Sequence, residues 1–316
     1  IQVPGVDAFE VGDPDEQGVR RVTFNAVPNQ DFKSAFEAWG KAQGRTRMLY
    51  SSALMNLTST VELFFSRLLH GYFSMLPEVV GAKEKLFSLE DLAKFESIED
   101  ARNHHLLSKI EGILRGSLEE WITYLRVNPK LSMGYLKDDQ SFLDETFQRR
   151  NVIVHNGGAA NSIYLGKVPE DKRNGINIGT DLTPARPYLN EQIDRFEQAC
   201  VLIGAEMWKK MEPGDEGRAV TLNNLAYQHL LAERYTISRS LSLFVVQDKL
   251  VAEIHRSIAQ LNLWQSEKRL GNWSAIKTEV ETADYSAKRL RFQLGRIALL
   301  EDFNSFYEML PRVLQA

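Results

Sequence analysis

Gln148-Arg149-Arg150-Asn151-Val152-Ile153-Val154-His155-Asn156-Gly157-Gly158 is one helical segment closed by a glycine stop. Nowhere else in the 316 residues do phosphate-binding and proton-moving side chains crowd together. The pattern predicts a helix from about Asp139 to Asn156, with Asp138 or Asp139 as N-cap and Gly157 as the left-handed stop. At about 100° per residue, Leu143, Thr146, Phe147, Ile153 and Val154 form an apolar stripe with Arg150 in its middle. Asn151 and His155 are one turn apart and share a neighbouring face with Asp144 and Gln148. Arg150 and His155 are about 140° apart, so only the long arginine stem brings both head groups to one cleft.

A guanidinium on a core-facing stripe needs an anionic partner, because arginine cannot shed its proton and an unpaired buried charge is costly. One candidate is a carboxylate on a packed neighbour, such as Glu62 on the helix through Val61, Phe65 and Leu68. The other is a phosphate, which a guanidinium grips as a two-pronged fork. Both remain open from geometry alone.

The run resembles the signature of the HEPN (higher eukaryotes and prokaryotes nucleotide-binding) superfamily, all-helical domains whose motif is an arginine, a polar residue and, a turn or so later, a histidine. The matching positions are Arg150, Asn151 and His155, and the wording Arg-Arg-Asn-Val-Ile-Val-His-Asn-Gly-Gly is especially similar to bacterial members. The likeness covers roughly residues 31–211, although its specific part is only the motif. It implies a metal-independent endoribonuclease, often a toxin or antiviral-defence effector, whose site forms where two protomers bring their motifs together. Arg149 and Asn156 flank the motif, and together with Glu62 they are the expected substrate-binding residues.

RNA cleavage without a metal needs a base for the ribose 2′-hydroxyl proton, an acid for the leaving 5′-oxygen and positive charge on the phosphorane. Histidine is the side chain suited to the proton role and arginine to the non-bridging oxygens. Asn151 can fix the imidazole or touch the ribose. One motif histidine per chain supplies one proton-transfer group, so a homodimer supplies both. His104 and His105 follow Arg102-Asn103 at the wrong spacing and are expected in a solvated stretch. His70, His229 and His255 are assigned to ordinary polar helix faces. No histidine has a partner at metal-ligand spacing, so neither a metal nor another cofactor is expected.

A composition of 43% apolar and 25% charged residues is that of a globular protein, and 36.0 kDa allows two domains. The net charge of −4 offers no general attraction to nucleic acid, so any RNA contact must be local. The single Cys200 rules out an intrachain disulfide and fits a reducing, cytoplasmic setting. The most apolar segment, Val61 to Leu76, is interrupted by Glu62, Arg67 and His70, so no membrane span is expected. The sequence begins at Ile1 without a basic and apolar leader, and its native start is expected to lie upstream.

The expected class is all-α, a HEPN-like bundle followed by helical hairpin repeats, with at most a small β-hairpin. Residues 1–30, rich in Gly, Pro and Asp, form an extension with one alternating stretch at Arg21 to Val27. The domain at 31–212 then follows with helices over Asp31–Gln43, Arg45–Leu76, Leu89–Phe95, Glu99–Arg115, Leu118–Val127, the motif helix and Asn190–Lys210. Ser117-Leu118-Glu119-Glu120 is a capping box. Met48, Met55, Leu63, Phe64, Leu68, Tyr72 and Leu76 are expected core positions. The polar excursion from Gly158 to Leu189, with a hairpin around Tyr164 and Ile176, leaves the motif helix and is long enough to serve the site.

Glu212-Pro213-Gly214-Asp215 is an expected hinge, and 213–316 a second domain. Tyr235, Trp273 and Phe303 end three similar runs, 38 and 30 residues apart, near the roughly 34-residue period of tetratricopeptide repeats, which the run from Leu222 to Tyr235 resembles. The alternatives are a repeat stack offering a regulatory partner a surface, or an irregular bundle. Two functions follow: a dimeric ribonuclease using Arg150, Asn151 and His155, or a non-catalytic scaffold in which that motif is structural.

Overall fold

The computed structural model describes residues 9–14, 20–24, 30–76, 88–173 and 175–315. Parts of the expected extension, 1–8, 15–19 and 25–29, lie outside them, as does the end of the alternating stretch at 25–27. In chain order the elements are β1 (Phe9–Pro14), β2 (Arg20–Phe24), α1 (Gln30–Met75), α2 (Leu89–Leu92), α3 (Ile98–Leu114), α4 (Leu118–Val127), α5 (Gln140–Asn156), α6 (Ser162–Lys167), α7 (Arg186–Met211), α8 (Gly217–Leu231), α9 (Tyr235–Gln247), α10 (Glu253–Arg269), α11 (Trp273–Thr282), α12 (Leu290–Leu299) and α13 (Phe303–Gln315). The class is all-α, with one antiparallel strand pair among the described residues, β1 and β2, in register Phe9 to Phe24 and Val11 to Val22.

Two compact units are present: Ile1–Thr60 with Gln140–Gln192, and Val61–Asp139 with Ile193–Ala316. The division falls inside α1 and α7. Two expected helices before Leu76 are one helix of 46 residues, continuous through Gly44. Its buried row is Leu54, Thr58, Val61, Phe65, Leu69 and Tyr72, stepping by three or four residues. That row corrects the expected core: Met48 is 72% and Leu63 50% exposed. Leu63 stands nine residues from Leu54, two and a half turns on, and so faces the other way. Thr58 disguised the row; its hydroxyl is satisfied inside the helix by the Met55 carbonyl at 2.9 Å.

In the first unit, the expected hairpin around Tyr164 and Ile176 is replaced by α6, capped by the Asn161 side chain accepting from the Tyr164 N–H. Strand-like pairing there is one bridge, Ala159 to Asp181. Val152, Ala160, Tyr164, Val168 and Leu182 make a small core that draws the excursion onto α5.

In the second unit α4 starts at the predicted capping box, with Ser117 and Glu120 exchanging side-chain and backbone bonds. Phe65 packs on Trp121 at 5.3 Å between ring centres, and Ile122 and Leu125 are buried on the same helix as Trp121. The expected hinge at 212–215 is a pinned turn. Asp215 accepts from the Trp208 indole at 2.9 Å and the Gly217 N–H at 2.8 Å, and buried Arg218 donates to the carbonyls of Glu212 and Pro213 and to Asp248.

The helices after it form three pairs: α8 with α9, α10 with α11, α12 with α13. Tyr235, Trp273 and Phe303 each open the second helix of a pair. Every pair closes with the same turn. A left-handed residue, Glu233 (φ 61°), Gly271 (φ 84°) or Glu301 (φ 58°), stands two places before the aromatic. The following N–H, of Arg234, Asn272 or Asp302, donates to the carbonyl five residues back at 2.9, 2.9 and 3.3 Å. This is the Schellman arrangement, repeated three times. The unequal spacing of the aromatics arises because α10 has 17 residues and α12 has 10.

His229 is buried on α8, 3.4 Å from Glu197, rather than on a polar surface. Burial pushes its imidazole below the ordinary 6.5, against the opposing pull of Glu197. The unfolded chain therefore takes up a proton that the folded one resists, and stability falls as pH drops below 6.5. His229→Gln is expected to flatten that slope in urea midpoints taken above and below 6.5; a variant with the wild-type slope contradicts the assignment.

Candidate functional site

The motif helix α5 ends where the sequence placed it. Gly157 is left-handed (φ 60°) and Gly158 follows at φ 90°, its N–H reaching back to the Val152 carbonyl at 3.2 Å. Leu182 then donates to the Gly158 carbonyl at 2.8 Å, so the end of the excursion is fastened to the closing turn. Before the helix, the Asp139 carboxylate is engaged by Arg195.

The buried side of α5 departs from the expected stripe. Leu143, Thr146 and Phe147 are buried, but Val154 is 48% exposed and Val152 is buried in its place. Between them Arg149 is held inside. Its Nε donates to Glu145 at 2.8 Å, an Nη donates to the Leu182 carbonyl at 3.3 Å, and the guanidinium lies 4.2 Å from the centre of the Tyr188 ring. Glu145, 5% exposed, also accepts from the hydroxyls of Tyr164 and Tyr188, each at 2.6 Å. Thr146 extends the network to Gln192 at 3.0 Å. Burial works against the Arg149 charge, but Tyr188, Glu145 and Tyr164 outweigh it and raise its pKa. Both tyrosines are raised by burial and by Glu145.

The stripe deviates because the row Thr146, Arg149, Val152 closes on three polar partners that come from α5, α6 and α7. The Glu145–Arg149 pair was missed in the sequence, where its only local signal is its i, i+4 spacing. Tyr164 and Tyr188, 19 and 43 residues from Glu145, carried no local signal.

Arg150 is half-buried and donates to the Asn151 side-chain oxygen at 3.0 Å. His155 is exposed, one turn beyond Asn151, and makes no hydrogen bond or ion pair with another described residue. Asn156 is exposed and donates to the Ala159 carbonyl across the closing turn. Of the three expected substrate-binding residues, Asn156 is thus at the surface, Arg149 is engaged internally, and Glu62 is half-buried on the part of α1 that belongs to the second unit.

Beside the closing turn stands a residue that the sequence did not mark. Arg47 of α1 makes a two-pronged pair with Asp181 at 2.7 and 2.9 Å, with both side chains 51% exposed. Its Nη2 is 3.4 Å from where a Cβ on Gly158 would stand, so the second glycine keeps that approach open.

Among the described residues no group of three or more His, Cys, Asp or Glu side chains could hold a metal ion. No helix among them is long and apolar enough to cross a membrane. No protein-family model, curated protein or solved structure matches the chain.

Proposed function

We propose that the chain is a metal-independent endoribonuclease acting as a homodimer, with Arg150, Asn151 and His155 as its working residues. The observation that carries this reading is the end of α5: Arg149 is held inside by Glu145, and one turn from the Arg150–Asn151 pair an imidazole with no hydrogen bond or ion pair to another described residue stands at the surface. A motif with only a packing role would not need a histidine there.

In the proposed reaction the ribose 2′-oxygen attacks phosphorus, its proton passing to the imidazole of one protomer. The bond from phosphorus to the 5′-oxygen breaks, and that oxygen takes a proton from the partner's imidazolium, leaving a 2′,3′-cyclic phosphate and a free 5′-hydroxyl. Arg150 stabilises the charge on the non-bridging oxygens, and Asn151 holds the arginine fork or the ribose. We place the enzyme in the cytoplasm as a toxin or antiviral-defence effector, with the three helical pairs of 217–315 as the surface for a regulating partner.

The test is incubation of a mixed single-stranded RNA pool with the full chain and a chelator. Fragments ending in cyclic phosphate are expected. Cleavage that appears only with an added divalent metal, or none at any protein concentration, overturns the reading.

A further inference from the structure

The first half of α1 belongs to the same compact unit as the motif helix and carries a solvent-exposed strip of side chains. Lys33, Phe36, Trp39, Gly40, Gln43 and Arg47 follow one another by short helical steps and lie within about 120° of arc. All are exposed, Trp39 to 58% and Phe36 to 54%, and the two rings lie 5.8 Å apart, tilted by 35°. No described residue stands within 4 Å of where a Cβ on Gly40 would be. Arg47 closes the strip at the turn that ends the motif helix, about 12 Å along α1 from Trp39.

Between residues 33 and 50 the cations Lys33, Lys41, Arg45 and Arg47 face one acid, Glu37, in a chain whose net charge is −4. Buried aromatics hold folds together, whereas Trp39 gives most of its ring to water and adds little to folding. Exposed aromatics interleaved with cations suit an anionic chain with flat, stackable bases. An exposed arginine–carboxylate pair contributes little by itself, and the Arg47 fork keeps N–H donors beyond the two spent on Asp181.

We propose that this strip is the track along which single-stranded RNA approaches the motif, with Trp39 stacking a base and Lys33 and Arg47 holding flanking phosphates. The proposal rests on the reading of the motif as an RNA-cleaving site and supplies its substrate class: unpaired RNA, since only unstacked bases reach an aromatic face.

The test is fluorescence anisotropy of a 2′-O-methyl single-stranded oligonucleotide, which cannot be cleaved, titrated with the full chain over a range of salt. Trp39→Ala is expected to weaken binding about tenfold or more, and Trp39→Phe to recover most of the loss. Arg47→Gln is expected to lower the slope of log affinity against log salt by about 0.7. Equal affinity of Trp39→Ala and wild type, no binding by wild type, or equal competition by a duplex of the same sequence overturns the track. So does a Trp39→Ala variant that sediments as a different oligomer with unchanged RNA affinity, which makes the strip an interface between copies. If Trp39→Ala loses affinity while wild type cleaves nothing, the track stands as an RNA-binding surface and the cleavage reading alone falls.

Discussion

Replacing His155 by alanine is expected to lower metal-free RNA cleavage by about a hundred- to ten-thousand-fold, the range for removing a positioned proton-transfer group. The fold should not register the change. The ring is exposed and has no structural hydrogen bond among the described residues, so the urea midpoint should move by no more than about 0.5 kcal/mol in stability terms. Arg150→Ala is a less clean probe because that side chain is half-buried and bonded to Asn151. A dimer that needs both histidines adds a second signature: after subunit exchange, an equimolar mixture of wild type and His155→Ala retains about one quarter of the wild-type activity, since only that share of twofold pairs is intact. Retention of about one half would show that each chain works alone. An unaltered cleavage rate in the pure variant removes His155 from the chemistry and returns the motif to a scaffold role.

The features legible in the sequence are those fixed by short-range geometry. A serine cap with a glutamate three residues on starts α4, and a glycine able to take positive φ ends α5. The aromatics at 235, 273 and 303 marked the helical pairs because each follows the same left-handed turn. The features that escaped depend on partners far along the chain. The expected stripe ran through Arg150 to Ile153 and Val154 because those two are apolar, but Tyr164 and Tyr188 hold Glu145 and with it Arg149 on the inner side, so Val152 is buried and Val154 is exposed. On α1 a single threonine in the buried row shifted the expected phase towards Leu63. Arg47 became visible only when the excursion brought Asp181 and Gly158 beside it, since 134 residues separate Arg47 from Asp181.

Glu145→Ala is expected to destabilise the first unit by about 3–5 kcal/mol, the range for removing one member of a buried, hydrogen-bonded ion pair. The carboxylate accepts three bonds, from Arg149, Tyr164 and Tyr188, so its loss strands a guanidinium that cannot deprotonate and two phenols that burial has removed from water. The Arg149 carbonyl bond and the Tyr188 ring remain, and they keep the loss at the lower end of the range only if the cavity admits water. Glu145→Gln keeps an acceptor without the charge and should lose less. Glu145→Ala combined with Arg149→Met removes both ions and should recover part of the deficit, because an apolar pair of similar volume needs no partner. Urea unfolding with an unchanged m-value gives the comparison. A Glu145→Ala loss below about 1 kcal/mol would mean that the network behaves as an exposed pair, and the assignment of Arg149 and Glu145 as a structural ion pair would fail with it.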